Sequence, residues 1–144
     1  MTSFTSRYGD PAVDYAGAHV WAHSRHTATV ISVAGRIDAA NLGDLNAHLT
    51  RFISPGAPFV LDLSGVAAFS GPAAGMLETV ADHCDRAGVQ WALVPSDAVT
   101  RRLAALGADL MLPIAGSAAE AEHGFDDAVL RRRRLLLPLL RKTA

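Results

Sequence analysis

The order of hydrophobic patterns along the chain predicts an α/β fold built on a mixed β-sheet. Three observations carry this. A β-branched, hairpin-like stretch runs from His19 to Ile37; apolar runs of strand length follow at 59–63, 89–94 and 110–114; and the segments between and after them repeat apolar residues at helical spacing. Helices of that length between strands act as crossovers. The last four strands are therefore expected to be mutually parallel, with one N-terminal strand added antiparallel through the hairpin and about four helices packed on the sheet.

Residues 1–16 are polar, contain Gly9, Asp10 and Pro11, and show no period, so they read as a mobile arm. His19, Val20 and Trp21 lead to a turn near Ser24 and Arg25, and Thr27 to Val33 forms the returning strand. Asn41, with Asp44 three residues on, has capping spacing; Leu42, Leu45, Leu49 and Phe52 then mark one face of a first helix that Pro55 and Gly56 stop. Phe59 to Leu63 is a short strand ended by Ser64 and Gly65. A second helix starts at Pro72, where the missing N–H is harmless, buries Leu77, Val80, Ala81 and Cys84, and ends at Gly88. Val89 to Val94 is a nearly continuous apolar run, as in a strand covered on both faces. Ser96 or Asp97 caps a third helix carrying Val99, Leu103 and Leu106, closed by Gly107. A last strand is expected over Leu110 to Ile114, and Ser117 with Glu120 opens a fourth helix. The expected organisation is an arm over 1–16, one domain over 17–128 and a basic, leucine-rich tail over 129–144.

Size and composition agree with one globular domain: 144 residues, 50% hydrophobic and 19% charged. The single Cys84 excludes an intramolecular disulfide and a cysteine-based zinc cluster. Met1 to Tyr8 has neither a long apolar stretch nor a charged leader, and Leu135 to Leu140 is far short of the roughly 20 apolar residues a bilayer span needs, so a cytoplasmic protein is expected. The net charge of −1 hides an asymmetry, with residues 1–130 at −7 and the last 14 residues at +6. An acidic body repels phosphate backbones, so no nucleic-acid partner is expected.

The chemistry-bearing residues are sparse. His19 and His23 share one strand face while His26 points to the other, and no acidic or cysteine partner is near in sequence; ordinary polar strand positions are favoured over a metal site. Asp82-His83-Cys84-Asp85 are consecutive on a helix and diverge, leaving Cys84 as a core thiol rather than a nucleophile. Neither G-x-G-x-x-G nor G-x-x-x-x-G-K-S/T occurs, so no cofactor and no catalytic constellation are expected. There remains the junction Phe69-Ser70-Gly71-Pro72. Ser70 reads first as a helix cap, and second as a hydroxyl placed where a helix N-terminus favours a phosphate.

Taken in order, Val30 to Asn41, Phe59 to Val66 and Ala98 to Leu103 resemble the second strand with its turn, the strand before the switch loop, and the third-helix segment of the STAS domain, the fold of anti-sigma factor antagonists. The resemblance covers about residues 17–128. It implies a regulatory, non-enzymatic protein that docks on a kinase-like anti-sigma factor. Members with a phosphoswitch carry Asp-Ser-Ser/Thr-Gly at the start of the second helix. Aligned on Leu61-Asp62-Leu63, that motif falls on Ser70-Gly71-Pro72-Ala73, so Gly71 stands where the phosphorylated Ser would be and only Ser70, one place early, is a possible phosphorylation site. Asp38 matches the family's turn aspartate, and Arg36 replaces the usual acidic residue. The expected docking surface is Asp38, Ser70, Gly71 and Pro72, with Glu78 and Asp82 on the outer face of the second helix. The alternative is a STAS subunit of a membrane transport assembly, with the Arg-Leu tail at the membrane; folding of the tail leucines back onto the domain, or their pairing between subunits, is favoured over that membrane contact.

Overall fold

Along the chain, three strands pair with one another ahead of the first helix. In the computed structural model, which describes residues 12–25, 28–107 and 112–127, Val13–Tyr15 (β1) turns through Ala16 and Gly17 into Ala18–Arg25 (β2), which pairs antiparallel with Ala28–Ile37 (β3). Ala16 and Gly17 both have positive φ, 50° and 101°, as a two-residue hairpin turn between right-twisted strands requires. Residues 13–15, assigned above to the arm, thus belong to the sheet, and the β2–β3 ladder runs on to Arg25↔Ala28, past the expected turn at Ser24. Residues 1–11, His26 and the tail over 129–144 lie outside the described residues.

Leu42–Thr50 (α1) then crosses to Phe59–Phe69 (β4), and Ala74–Ala87 (α2), entered through a 3-10 turn at Gly71–Ala73, crosses to Trp91–Pro95 (β5). Asp97–Leu106 (α3) follows, and residues 118–127 form a further helix (α4). The sheet order is β1-β2-β3-β4-β5, with β3–β4 and β4–β5 parallel.

The expectation of four parallel strands and one antiparallel strand is corrected on both counts. Two strands, β1 and β2, pair antiparallel, and three, β3 to β5, form the parallel block. β1 is three residues long, too short for a period to show. At the other edge, the segment expected as a fourth parallel strand, of which Leu110 and Met111 lie outside the described residues, makes a single parallel bridge among those described, Leu93↔Ile114. Leu93 N donates to Pro113 O and Ala115 N donates to Leu93 O, both at 2.9 Å. Pro113 has no N–H with which to extend that ladder.

β4 is also longer than its sequence suggests. It runs on through Ser64 and Gly65 to Phe69, and its register against β3 slips twice, between Ser32/Ala34 and between Gly35/Arg36. Each slip places one extra residue on β4. Gly65 is not a strand terminator but a clearance. A Cβ there would stand 2.9 Å from the Cβ of Ala34. Across the sheet, Gly35 has φ +99°, and a Cβ on it would collide with the carbonyl oxygen of Gly17. That same oxygen accepts from Arg36 N at 3.0 Å, so the close approach is held by a hydrogen bond.

The main core lies on one face of the sheet. Ile31, Val33, Phe59, Leu61, Leu63 and Leu93 from the strands meet Leu45 and Leu49 of α1, Met76, Leu77, Val80 and Cys84 of α2, and Val99 and Leu103 of α3, all buried. A smaller cluster on the opposite face packs Ala28, Val30, Val60, Ala92 and Val94 under Ala121 and Phe125 of α4. Arg25 Nε, 3.0 Å from Glu122 Oε1, ties α4 to β2. The helix ends follow local chemistry where expected: Ser96 accepts from Val99 N at 3.3 Å, and Gly88 and Gly107 close α2 and α3 in the left-handed region, at φ 70° and 68°.

Gly35→Ala is expected to lower unfolding stability by about 2 kcal/mol or more, since the added Cβ meets backbone at a positive φ. Gly43→Ala, in α1 with nothing within 4 Å, is expected to raise it by about 0.5–1 kcal/mol. Urea unfolding followed by circular dichroism distinguishes the two, and equal effects would refute the close-approach argument.

Candidate functional site

The parallel block sends two chain segments out of the sheet at the same edge. β3 ends at Ile37 and β4 at Phe69, which are register partners, and Ser70 N donates to Ile37 O at 3.0 Å. The turn after β3 carries Asp38, and the junction after β4 carries Ser70, Gly71 and Pro72. Two segments 33 residues apart in sequence are therefore joined by a backbone hydrogen bond.

The β3–α1 turn is built around Asn41. This side chain, 1% exposed, donates from Nδ2 to Arg36 O at 2.7 Å and accepts from Asp38 N at 3.0 Å. It does not cap α1 as its spacing with Asp44 suggested, because its amide is engaged with the turn before the helix. Asp38 in turn accepts from Ala40 N at 2.9 Å through Oδ1, and its Oδ2 lies 3.0 Å from Arg36 Nε. Arg36 also reaches Ala16 O from Nη2 at 3.2 Å, linking this turn to the β1–β2 hairpin.

Ser70 does not cap its helix either. It occupies the cap position with extended backbone, φ −78° and ψ 164°, but its hydroxyl makes no cap bond and is shielded from solvent without a hydrogen-bond partner among the described residues. An unmet buried hydroxyl costs about 1–3 kcal/mol. The 3-10 turn explains the missing cap: Ala73 N donates to the Ser70 carbonyl oxygen at 3.1 Å, so the backbone serves the first turn. Pro72 is exposed. Gly71 is half-buried, with nothing within 4 Å of where its Cβ would be.

Asp38 and Ser70 line one open cleft of about 450 Å³. Ile37, Ala68 and Phe69 form its floor, and α3 supplies the far wall with Ala98, Arg101, Arg102 and Ala105. Arg102 Nε donates to Phe69 O at 3.2 Å, fixing α3 against the end of β4. Arg101 and Arg102 are missing from the residues singled out on sequence grounds. Their signal was present in the spacing of 98, 101, 102 and 105, one helical face opposite buried Val99 and Leu103.

Glu78 and Asp82 are exposed on α2, as is Asp85. They do not line the cleft; Asp82 and Asp85 border a separate depression with Val89 and Trp91 at the far end of α2. On β2, His19 is exposed and 3.9 Å from Asp14, and His23 is half-buried. Among the described residues no group of three or more His, Cys, Asp or Glu is placed to hold a metal ion. No helix among them is long and apolar enough to cross a membrane.

Burial pushes the Cys84 thiol from its ordinary value of 9.0 up to about 11. The folded state therefore keeps its proton where the unfolded chain loses it. The stabilising contribution is whole below pH 9 and is lost as pH rises from about 9 towards 11. At pH 8 a thiol-specific disulfide reagent should modify the native protein at least about a hundredfold more slowly than the urea-unfolded chain. Cys84→Ala should flatten the fall in stability between pH 9 and 11; rapid labelling of the native protein would contradict the burial.

Comparison with known proteins agrees with this architecture. A sequence profile of the STAS domain matches residues 13–121, from β1 into α4. Over 146 aligned residues, covering 99% of this chain and 92% of the relative, the chain is 43% identical to osmosensory protein A of Mycobacterium tuberculosis (strain ATCC 25618 / H37Rv). Its fold is similar to the crystal structure of an anti-sigma factor antagonist from Mycobacterium paratuberculosis, with a TM-score of 0.59 at 23% identity over 81% of this chain and 94% of that one. It is also similar to an anti-sigma-factor antagonist (STAS) domain protein from Planctomyces limnophilus, with a TM-score of 0.60 at 16% identity over 70% and 92% of the two chains. The strand order, the β4–α2 junction and the profile match from the first strand to the last helix lead to one assignment: the chain belongs to the STAS domain family.

Proposed function

We propose that the protein is an anti-sigma factor antagonist that works by binding, competing for a kinase-like anti-sigma factor in the cytoplasm. The observation that carries this reading is the bond from Ser70 N to Ile37 O, which puts the Asp38 turn and the Ser70–Pro72 junction on one contiguous surface of a STAS fold. Asp38, Ser70, Gly71 and Pro72 form the centre of the docking surface, and Glu78 and Asp82 extend it along α2 as an acidic strip that seeks a cationic partner. The name of the 43% identical relative suggests osmotic conditions as the setting in which this antagonist acts.

Phosphorylation of the usual kind has no acceptor here. Gly71 has no hydroxyl, Pro72 removes the neighbouring one, and the Ser70 hydroxyl is shielded. The switch is degenerate, and the antagonist is read as constitutively able to dock.

The full chain, used as bait, should capture a protein with a histidine-kinase-like ATPase domain, identified by mass spectrometry; recovery of membrane transport subunits instead would favour the alternative. Glu78→Lys with Asp82→Lys should weaken that complex about tenfold and reduce its salt dependence, with an unchanged melting temperature, because both side chains are exposed. Unchanged affinity would move the interface off α2. Incubation with the captured kinase and ATP should leave the intact mass of the natural sequence unchanged. Gly71→Ser, for which the structure has room, should gain one phosphate if the rest of the switch is intact.

A further inference from the structure

The cleft beside Asp38 and Ser70 carries an unbalanced charge. Three arginines line it, Arg36, Arg101 and Arg102, against one carboxylate, Asp38. The body of the protein is acidic, at −7 over residues 1–130, which contain only 7 basic residues, so three of seven cations converge on one cleft. Their placement is not explained by internal pairing. Arg101 has no hydrogen bond or ion pair among the described residues. Arg102 spends only Nε, on Phe69 O at 3.2 Å, which leaves its two terminal nitrogens unpartnered among the same residues. Arg36 is anchored through Nε to Asp38 at 3.0 Å and through Nη2 to Ala16 O at 3.2 Å, and Nη1 is left over. Two of the three guanidinium groups are thus held in position by the frame, with donors to spare.

We propose that this cleft binds a small phosphate monoester. The surplus of two positive charges matches a phosphoryl dianion, and planar guanidinium forks suit phosphate oxygens better than point charges do. The volume, about 450 Å³, falls in the range of small-molecule sites, roughly 300–1,000 Å³, and leaves room beyond the phosphate for an organic group. Ala68, Ala98 and Ala105, all at least partly exposed, supply the apolar surface against which that group packs. Binding itself does not depend on the partner assignment above. Because Asp38 and Ser70 belong to both surfaces, a bound ester would compete with docking, and that consequence alone rests on the proposed function.

The test is a 15N NMR titration of the full chain with phenyl phosphate and, separately, with inorganic phosphate, at constant ionic strength held with sodium chloride. Saturable shifts confined to amides of residues 36–38, 68–70 and 98–105 are expected, with phenyl phosphate binding more tightly than inorganic phosphate. Arg101→Glu should weaken phenyl phosphate binding about tenfold or more, whereas Arg101→Lys, which keeps the charge and loses the fork, should weaken it by a smaller factor of about three to five. Equal affinity for the two probes would keep the site and make free phosphate its ligand. Shifts that do not saturate, that spread over the surface, or that survive Arg101→Glu unchanged would overturn the proposal. Loss of the anti-sigma factor complex would not, because the titration uses the chain alone.

Discussion

The parallel ladder between β3 and β4 is the constraint on which the rest of the structure depends. Both strands are central, and both cores are laid against them, the larger through Ile31, Val33, Leu61 and Leu63 and the smaller through Val30 and Val60. The ladder does not run straight. Two extra residues on β4 twist its second half, and that distortion is tolerated because Gly65 slides past Ala34 and Gly35 sits under Gly17. A side chain at either glycine would force the strands apart before they reached Ile37 and Phe69. The surface carrying Asp38 and Ser70 thus exists because two backbone segments are allowed to approach more closely than side chains would permit.

Polar groups at this edge serve the backbone first. Asn41 gives its amide to the turn rather than to its helix, and Arg36 spends one nitrogen on Asp38 and another on Ala16 O. Arg36 is therefore a hub that joins the β1–β2 hairpin to the β3–α1 turn. Buried or anchored polar networks hold a loop in one conformation, because breaking any member leaves a donor or acceptor unmet. A recognition surface assembled from two loops gains from that rigidity, since less ordering remains to be done on binding.

Charge is sorted across the same surface. The exposed acidic residues of α2 and the arginine-lined cleft against α3 lie on different elements, so the domain carries a negative strip and a positive recess on separate parts of its surface. Neither feature is visible in the net charge of −1. At physiological ionic strength charges are screened over about 8 Å, so what a ligand meets is the local arrangement rather than the total.

The alternation of strand and helix periods determined the α/β class, and single residues determined several ends: Gly88 and Gly107 close helices as read, Ser96 caps one, and Cys84 falls in the core as its helical phase required. Such features are legible because they are set within one turn of chain. The tertiary structure decided what depends on residues far apart. Gly65 reads as a strand end until Ala34 is beside it; Ser70 and Asn41 read as caps until a 3-10 turn and the Arg36–Asp38 turn take over their roles; and Ile114 reads as part of a strand although it makes one bridge. Arg101 and Arg102 were present in the segment that resembled the family's third helix, yet only the packing of α3 against the end of β4 turned them towards Asp38 and Ser70. Periodicity reports which side of an element is buried, a property of local sequence. Which two loops share an edge is fixed by strand register, and register is a property of pairs.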